Sequence, residues 1–368
     1  MKKLIALVLA LVMAFALIAC ESAPAPVDTQ PAATPPAATE PAAPAQKTIY
    51  VLVPNPDHGW TGAIGVAAKE KTEALNAEGK YNVDMPTFAT ADDQIKQIED
   101  IIANNPGDGS IGVAMLPAGN DVENAIQQLV DAKIPYTAAD RIIPSVAPSA
   151  VSNVKYDNVE IGAAAASYLV KNGLKEGDKV AVIEGDGSSA DTDRTDGFNK
   201  YLLGEVDYMG EKIATPWTSL DSVSYSGATG WNPANAQAWF ETYMSNANNA
   251  DTKYIASWDD GLSCGVFEAL AGSAIDADTK AAFLANAPYI TGCGGSQTFY
   301  NTIAGDYSTY PVAESFGGVM SVTYPPAMIQ VTIQAMVDYF DGKDVLQDNT
   351  QSAECVDATN VANYTGFE

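Results

Sequence analysis

Positive charge is scarce in this sequence: 19 Lys+Arg stand against 46 Asp+Glu, a formal net charge of −27 over 368 residues. Such a chain repels a phosphate backbone, which argues against general nucleic-acid binding. Arginine is scarcer still, with only Arg141 and Arg194. A single histidine leaves little for a His-based metal site or a Ser-His-Asp arrangement. Four cysteines include no Cys-x-x-Cys spacing, so no zinc pattern is present. Neither a metal nor a cofactor is expected. The apolar fraction, 47%, is ordinary for a globular protein and supplies core for roughly two domains.

The start of the chain reads as a leader. Met1-Lys2-Lys3 is followed by an apolar run from Leu4 to Ala19 and then Cys20. That is the layout of a secretory signal peptide over residues 1–19, too short and wrongly flanked for a membrane span. Leu17-Ile18-Ala19-Cys20 resembles a bacterial lipobox, which implies cleavage before Cys20 and a lipid on its thiol. Removal of Lys2 and Lys3 leaves 17 − 46 = −29. Residues 21–46 then hold nine Ala and seven Pro in 26 positions. With so little to bury, residues 20–46 are expected to be an extended tether that holds a body away from a membrane.

From Lys47 strand-like and helix-like stretches alternate. Thr48–Val53 is a continuous apolar run of the kind buried on both faces of a parallel sheet. Helical periodicity over 59–78, 91–104 and 121–132 separates it from strands expected at 83–88, 111–116 and 135–139. A second series begins near Asp157, with helices at 157–172, 191–203, 233–247 and 261–271 and strands at 179–184, 211–215, 253–258 and 288–292. This alternation predicts an α/β fold of two doubly wound parallel-sheet units. The second series starts after Asn153, and a last helix, Ala327–Phe340, is expected to return to the first unit. Three crossovers are therefore expected, near Val154–Asp157, Thr323–Pro325 and Thr359–Asn360. They divide the body into a first lobe, 47–154 plus 324–359, and a second, 155–323 plus 360–368.

Ligands of open parallel sheets sit beyond the carboxyl ends of the strands. The residues found there are Pro54-Asn55-Pro56-Asp57-His58-Gly59-Trp60, Asp140-Arg141, Gly185–Ser189 leading to Arg194, Trp258-Asp259-Asp260 and Gly292–Gln297. Both arginines and the one histidine fall in this set. Arg offers a rigid fork of donors and Trp a flat apolar face, which together suit a polyhydroxylated ligand. Plainer readings exist for each: Trp60 as a cap on the first helix, Asp140-Arg141 as a surface ion pair, and Arg194 paired with Asp191, Asp193 or Asp196. The Gly185–Ser189 loop looks superficially like a phosphate cradle. No Lys follows it in P-loop spacing and acids surround it, so it reads as a helix entry. Cys264 and Cys293 lie beyond strands that are candidates for neighbours, which leaves a disulfide open.

Asp140-Arg141 with Asn153–Asn158, then Asp191–Phe198 with its Arg-x-x-Gly-Phe, then Trp258-Asp259-Asp260-Gly261-Leu262 carry a resemblance. From Lys47 to about Thr359 the chain resembles the type I periplasmic sugar-binding proteins, the ribose- and galactose-binding group that serves ABC importers. The resemblance implies a two-lobe fold with a three-segment hinge, and ligand contacts at His58, Trp60, Asp140, Arg141, Arg194, Trp231 and Asp259. Two departures stand out. The group usually has an Asp where this chain has Gly292–Gly295, and a Gln where Thr323-Tyr324 stands; Asp259 also replaces a more frequent Asn.

The expected function is capture of a sugar or similar polyhydroxylated solute by a lipid-anchored extracytoplasmic monomer, and its delivery to ABC permease subunits. No catalytic residue is singled out. An exported glycoside-processing enzyme using paired carboxylates and a sugar-sensing receptor of a signalling system remain as alternatives.

Overall fold

The computed structural model describes residues 46–56 and 59–368. The leader, Cys20, the Ala/Pro stretch, Asp57 and His58 lie outside the described residues. The apolar run predicted as the first strand forms β1 (Thr48–Pro54), with Ile49, Val51, Leu52 and Val53 wholly buried. It is followed by α1 (Gly59–Glu78), β2 (Asn82–Asp84), β3 (Thr87–Phe88), α2 (Ala91–Ala103), β4 (Ile111–Met115), α3 (Glu123–Asp131), β5 (Tyr136–Ala139) and β6 (Ser152–Tyr156). The strand expected at 83–88 is two strands because Met85-Pro86 interrupts it, and proline has no N–H for the ladder. Both pieces pair with β1.

The second series runs α4 (Asn158–Lys171), β7 (Val180–Glu184), α5 (Ser189–Leu202), β8 (Val223–Ala228), α6 (Pro233–Met244), β9 (Tyr254–Ser257), α7 (Asp260–Ala271), α8 (Ala277–Ala285), β10 (Tyr289–Gly294), α9 (Gln297–Ile303) and β11 (Gly318–Thr323). α10 (Met328–Phe340), β12 (Asp348–Gln351) and β13 (Cys355–Val356) complete the helices and strands among the described residues, apart from short 3-10 turns. No strand forms at 211–215; Glu211 makes only an isolated bridge with Tyr208. The outer strand of that sheet is β8 instead. Its Val223 is buried while Tyr225 is exposed, and such a half-solvated edge lacks the apolar run that marks the inner strands.

Two sheets result. The first has the order β12-β6-β5-β4-β1-β2, with β3 beside β1, and all its pairs are parallel. The second has the order β13-β11-β10-β9-β7-β8 and is parallel except where β13 runs against β11. Helices flank both, so the molecule is a pair of doubly wound α/β lobes, the architecture expected from the strand–helix alternation. The chain leaves the first sheet after β6, returns to it after β11 through α10, and leaves again after β12. The last passage falls at Ser352–Glu354, ahead of the expected Thr359–Asn360. The reason is that Ser321 and Val322 of β11 pair with Val356 and Cys355. Two of the crossing segments are tied together: Thr323 N–H donates to the Glu354 carbonyl (2.8 Å), and Glu354 N–H donates to Thr323 Oγ1 (2.9 Å).

Candidate functional site

Where the strands of both sheets end, their loops converge on one side chain of a crossing segment, Tyr324. Its ring is 6% exposed and is stacked on Trp60, centroids 5.0 Å apart and 27° between planes. The Trp60 indole N–H donates to the Tyr324 carbonyl at 2.6 Å. Tyr156, at the end of β6, meets the same ring edge-on at 5.4 Å. Tyr324 Oη donates to Asp140 Oδ1, and the Arg194 guanidinium lies over the ring at 4.6 Å. Burial and the Asp140 charge push the phenol pKa far above its usual value, so the hydroxyl stays a donor. One ring thus touches an acid from the first lobe and a base from the second.

Local backbone explains how those groups arrive. Asp140 follows β5 in the left-handed region (φ 61°), a conformation Asp tolerates better than most residues, and its N–H donates to the Val154 carbonyl at 2.8 Å. Arg194 sits on α5, held against α4 by a close, glycine-mediated helix contact. A Cβ on Gly162 would lie 1.9 Å from the Arg194 carbonyl oxygen, and one on Gly197 would lie 2.0 Å from that of Val159. Only glycine permits that approach. It brings Asn158, on the first turn of α4, beside the guanidinium: Arg194 Nε donates to Asn158 Oδ1 at 2.9 Å and Nη1 to the Trp258 carbonyl at 2.5 Å. The side chain is 4% exposed yet uses only part of its donor fork.

On the far side of Arg194 stands Trp231, with the guanidinium 5.5 Å from its ring. Trp231 also adopts a left-handed backbone (φ 56°), and its ring lies directly on Gly185, where a Cβ would meet it at 2.3 Å. Sparsely populated backbone of this kind clusters at functional sites. The Gly185–Ser189 loop is closed to phosphate, because Asp191 already accepts from Gly185 N–H and Gly187 N–H, each at 2.7 Å. Burial alone would raise the pKa of Asp186 in that loop. Hydrogen bonds from Ser188 and Trp231, with the Arg141 charge from the other lobe, bring it below the usual carboxylate value instead.

The sequence profile of the periplasmic binding protein domain family matches residues 49–344. The chain belongs to that family. No curated protein sequence gives a significant match. Among solved structures, an ABC transporter solute-binding protein from Bacillus halodurans C-125, with bound myo-inositol, superposes with a TM-score of 0.67 at 18% identity, covering 88% of this chain and 98% of its own. The Caulobacter myo-inositol binding protein gives 0.66 at 16%, covering 88% and 97%. The binding component of the arabinose ABC transporter from Shewanella sp. ANA-3 gives 0.64 at 15%, covering 86% and 94%. These likenesses establish the fold.

In this periplasmic binding protein, Trp60, Asp140 and Arg194 come together around Tyr324, with Trp231 beside Arg194. Arg194 contacts none of Asp191, Asp193 or Asp196 by salt bridge; its partners are Asn158 and Trp258. Arg141 sits at the rim, its side chain 46% exposed, donating to the Ala118 carbonyl at 2.7 Å with Nε 3.9 Å from Asp140 Oδ2. Trp258 is wholly buried and gives its indole N–H to Thr195 at 2.9 Å, so it supports Arg194 from behind. Tyr324, Asn158 and Tyr156 were not among the candidates. Tyr324 had a readable signal, since it follows directly on β11 at a crossover.

Asp259 caps α7, its Oδ1 accepting from Gly261 N–H at 2.7 Å; burial raises its pKa. Its neighbour Asp260 is fully buried and accepts from Ser321 Oγ (2.7 Å), Gly295 N–H (2.7 Å) and Ser296 N–H (2.8 Å). Burial and the Asp259 charge push Asp260 up to about 7 despite those donors. The Gly294-Gly295 turn that Asp260 holds is also held by the chain's last residues. Phe367 N–H donates to the Gly295 carbonyl (3.1 Å), and Gln297 N–H donates to the Phe367 carbonyl (2.8 Å). Cys264, Cys293 and Cys355 are free, so the disulfide left open between the first two is not formed; burial pushes Cys293 up to about 12.

Proposed function

We propose that this chain captures a neutral polyhydroxylated small solute, a sugar or cyclic polyol, between its lobes and delivers it to an ABC permease. The observation that carries the reading is the placement of a buried, incompletely used guanidinium from the second lobe opposite a carboxylate from the first, with Trp60 and Trp231 as flat faces beside them. Opposite charges on the two walls give a site of little net charge, rich in donors and acceptors for hydroxyls, while the rings suit sugar C–H faces. The solutes named for the similar structures, arabinose and myo-inositol, are of this chemistry. Asp140, Arg194, Trp60, Trp231 and Asp259 are the proposed ligand contacts, with Arg141 and His58 contributing from the rim and first loop.

The reading extends to an extracytoplasmic protein held at the membrane by a lipid on Cys20, with the lobes closing around ligand because it touches both. A glycosidase is not favoured by the adjacent carboxylates of Asp259 and Asp260, since Asp260 is sealed by three donors from its own lobe.

A thermal-shift panel of pentoses, hexoses and cyclic polyols tests it. A tight ligand raises the melting temperature by mass action. Arg194→Ala is expected to remove the shift, because it strips a desolvated site of several donors, each worth roughly 1–3 kcal/mol when its partner is left unsatisfied. Arg141→Ala, at the rim, is expected to weaken the response far less. No shift with any member of the panel would overturn the proposal.

A further inference from the structure

We propose that Glu160 is a positioning residue for the site: by gripping the third crossing segment it fixes how Asp140 and Arg194 are presented to one another. The inference rests on the function proposed above. Both of those groups hang on one short run of chain across the hinge. Asp140 is tied to β6 by its N–H on the Val154 carbonyl at 2.8 Å, and Arg194 is tied to the first turn of α4 by Asn158 at 2.9 Å. Lys155, Tyr156 and Asp157 alone separate the two anchors. Tyr156 is the last residue of β6, and Asp157 already caps α4, its Oδ1 accepting from Val159 N–H (2.9 Å) and Glu160 N–H (3.1 Å). The first crossing therefore changes lobes at one peptide link, and a bend there moves the guanidinium relative to the carboxylate.

The third crossing runs alongside and braces that bend from both ends. In the first lobe Gln351, the last residue of β12, pairs with Tyr156. In the second lobe Ala353, 1% exposed, donates its N–H to Glu160 Oε2 at 3.1 Å, and its carbonyl accepts from Tyr208 Oη at 3.1 Å. The exposed Ser352 is all that lies between. Two segments tied together on each side of a pivot turn like a leaf hinge: bending stays open to them, while twist and shear are resisted. Glu160 makes this tie from the same helical turn as Asn158. Among the described residues the Ala353 N–H is the one donor to its carboxylate, and no lysine or arginine pairs with it. Burial and the charges of Asp157 and Asp207 raise its pKa, although the Ala353 bond opposes them. A carboxylate kept there acts through the backbone bond it makes, and charge-assisted bonds are the stronger ones.

The test is a double-mutant cycle with Asn158, by titration calorimetry against D-ribose, L-arabinose and myo-inositol, alongside urea unfolding and amide exchange of each variant. Glu160→Ala is expected to speed exchange of the Ala353 amide and to weaken the parent's tightest member of the set about tenfold. In the Asn158→Ala background the same change is expected to weaken it by no more than about threefold, because the turn no longer holds the guanidinium. Glu160→Gln, which keeps an oxygen for Ala353, is expected to stay within about threefold of the parent. Glu160→Met, which fills the same space without an acceptor, carries the cycle if the alanine variant does not fold. Equal losses in both backgrounds are the signature of a part that only supports the fold, and they would overturn the inference. A variant without the acceptor that binds like the parent, or a Gln variant that loses as much as the alanine one, would overturn it too; each of these leaves the function standing. A parent that binds nothing in the set would overturn the function and this inference with it.

Discussion

Replacing Gly197 by alanine tests whether the α4–α5 contact builds the arginine site. The added Cβ would lie 2.0 Å from the Val159 carbonyl oxygen, 2.7 Å from its carbonyl carbon and 2.8 Å from its Cα. All three are backbone atoms, so no rotamer change relieves the clash; the helices must part by more than about 1 Å, a strain of the kind that costs roughly 1–3 kcal/mol in packed interiors. Alanine returns about 1 kcal/mol of helix propensity, which offsets part of that. The separation also stretches the Arg194 Nε–Asn158 bond, which bridges the two helices at 2.9 Å; hydrogen bonds to charged groups contribute about 1.5–3 kcal/mol. The variant is therefore expected to lose roughly 1–3 kcal/mol in urea unfolding and at least about tenfold in sugar affinity, since 1.4 kcal/mol is a factor of ten. Gly119→Ala is the control: its Cβ meets nothing within 4 Å, its backbone is extended (φ 165°), and it should stay within about 0.5 kcal/mol of the parent. A Gly197→Ala protein that unfolds and binds like the parent would refute the argument.

The remaining predictions concern protons and light. Asp260 holds its proton to about pH 7 in the folded chain, against an ordinary value of 3.8. Between those values the folded state carries a proton the unfolded state has released, so this group's effect on stability becomes less favourable as pH rises through that window. Asp260→Asn removes that titration while keeping an oxygen for Gly295 and Ser296, so in urea unfolding its stability relative to the parent should rise from pH 5 to pH 8; a constant difference would count against the raised value. Ligand addition should change tryptophan fluorescence saturably, and Trp60→Phe with Trp231→Phe should remove most of the response. Persistence of the full signal in the double variant would place the reporter elsewhere, at Trp217, Trp239 or Trp258.

Most of the fold was readable because parallel strands buried on both faces are apolar throughout, and runs such as Thr48–Val53 and Val180–Ile183 announce themselves. What escaped was half-solvated or very short. β8 buries only Val223 on a sheet edge, and the two-residue β13 has no periodicity, so its register on β11 was invisible. The rule of inspecting residues after strands pointed to Trp60 and Asp140, which meet at Tyr324, and to Asp259, which caps α7. It would have found Tyr324 had the crossover been counted as a strand end. Asn158 stood in the Asn153–Asn158 stretch that carries the resemblance, but its pairing with Arg194 was out of reach, because only the Gly162–Gly197 approach brings the two together.

The hold of Phe367 on the Gly294-Gly295 turn has a practical side. Anything that tugs on the last few residues tugs on a turn packed against Asp260, a few ångströms from Asp259. A bulky label attached at Phe367 or its immediate neighbours would perturb that turn rather than serve as an inert handle. The same linkage makes the position useful for a reporter: an environment-sensitive probe placed beside Phe367 is mechanically coupled to the end of β10 from the start.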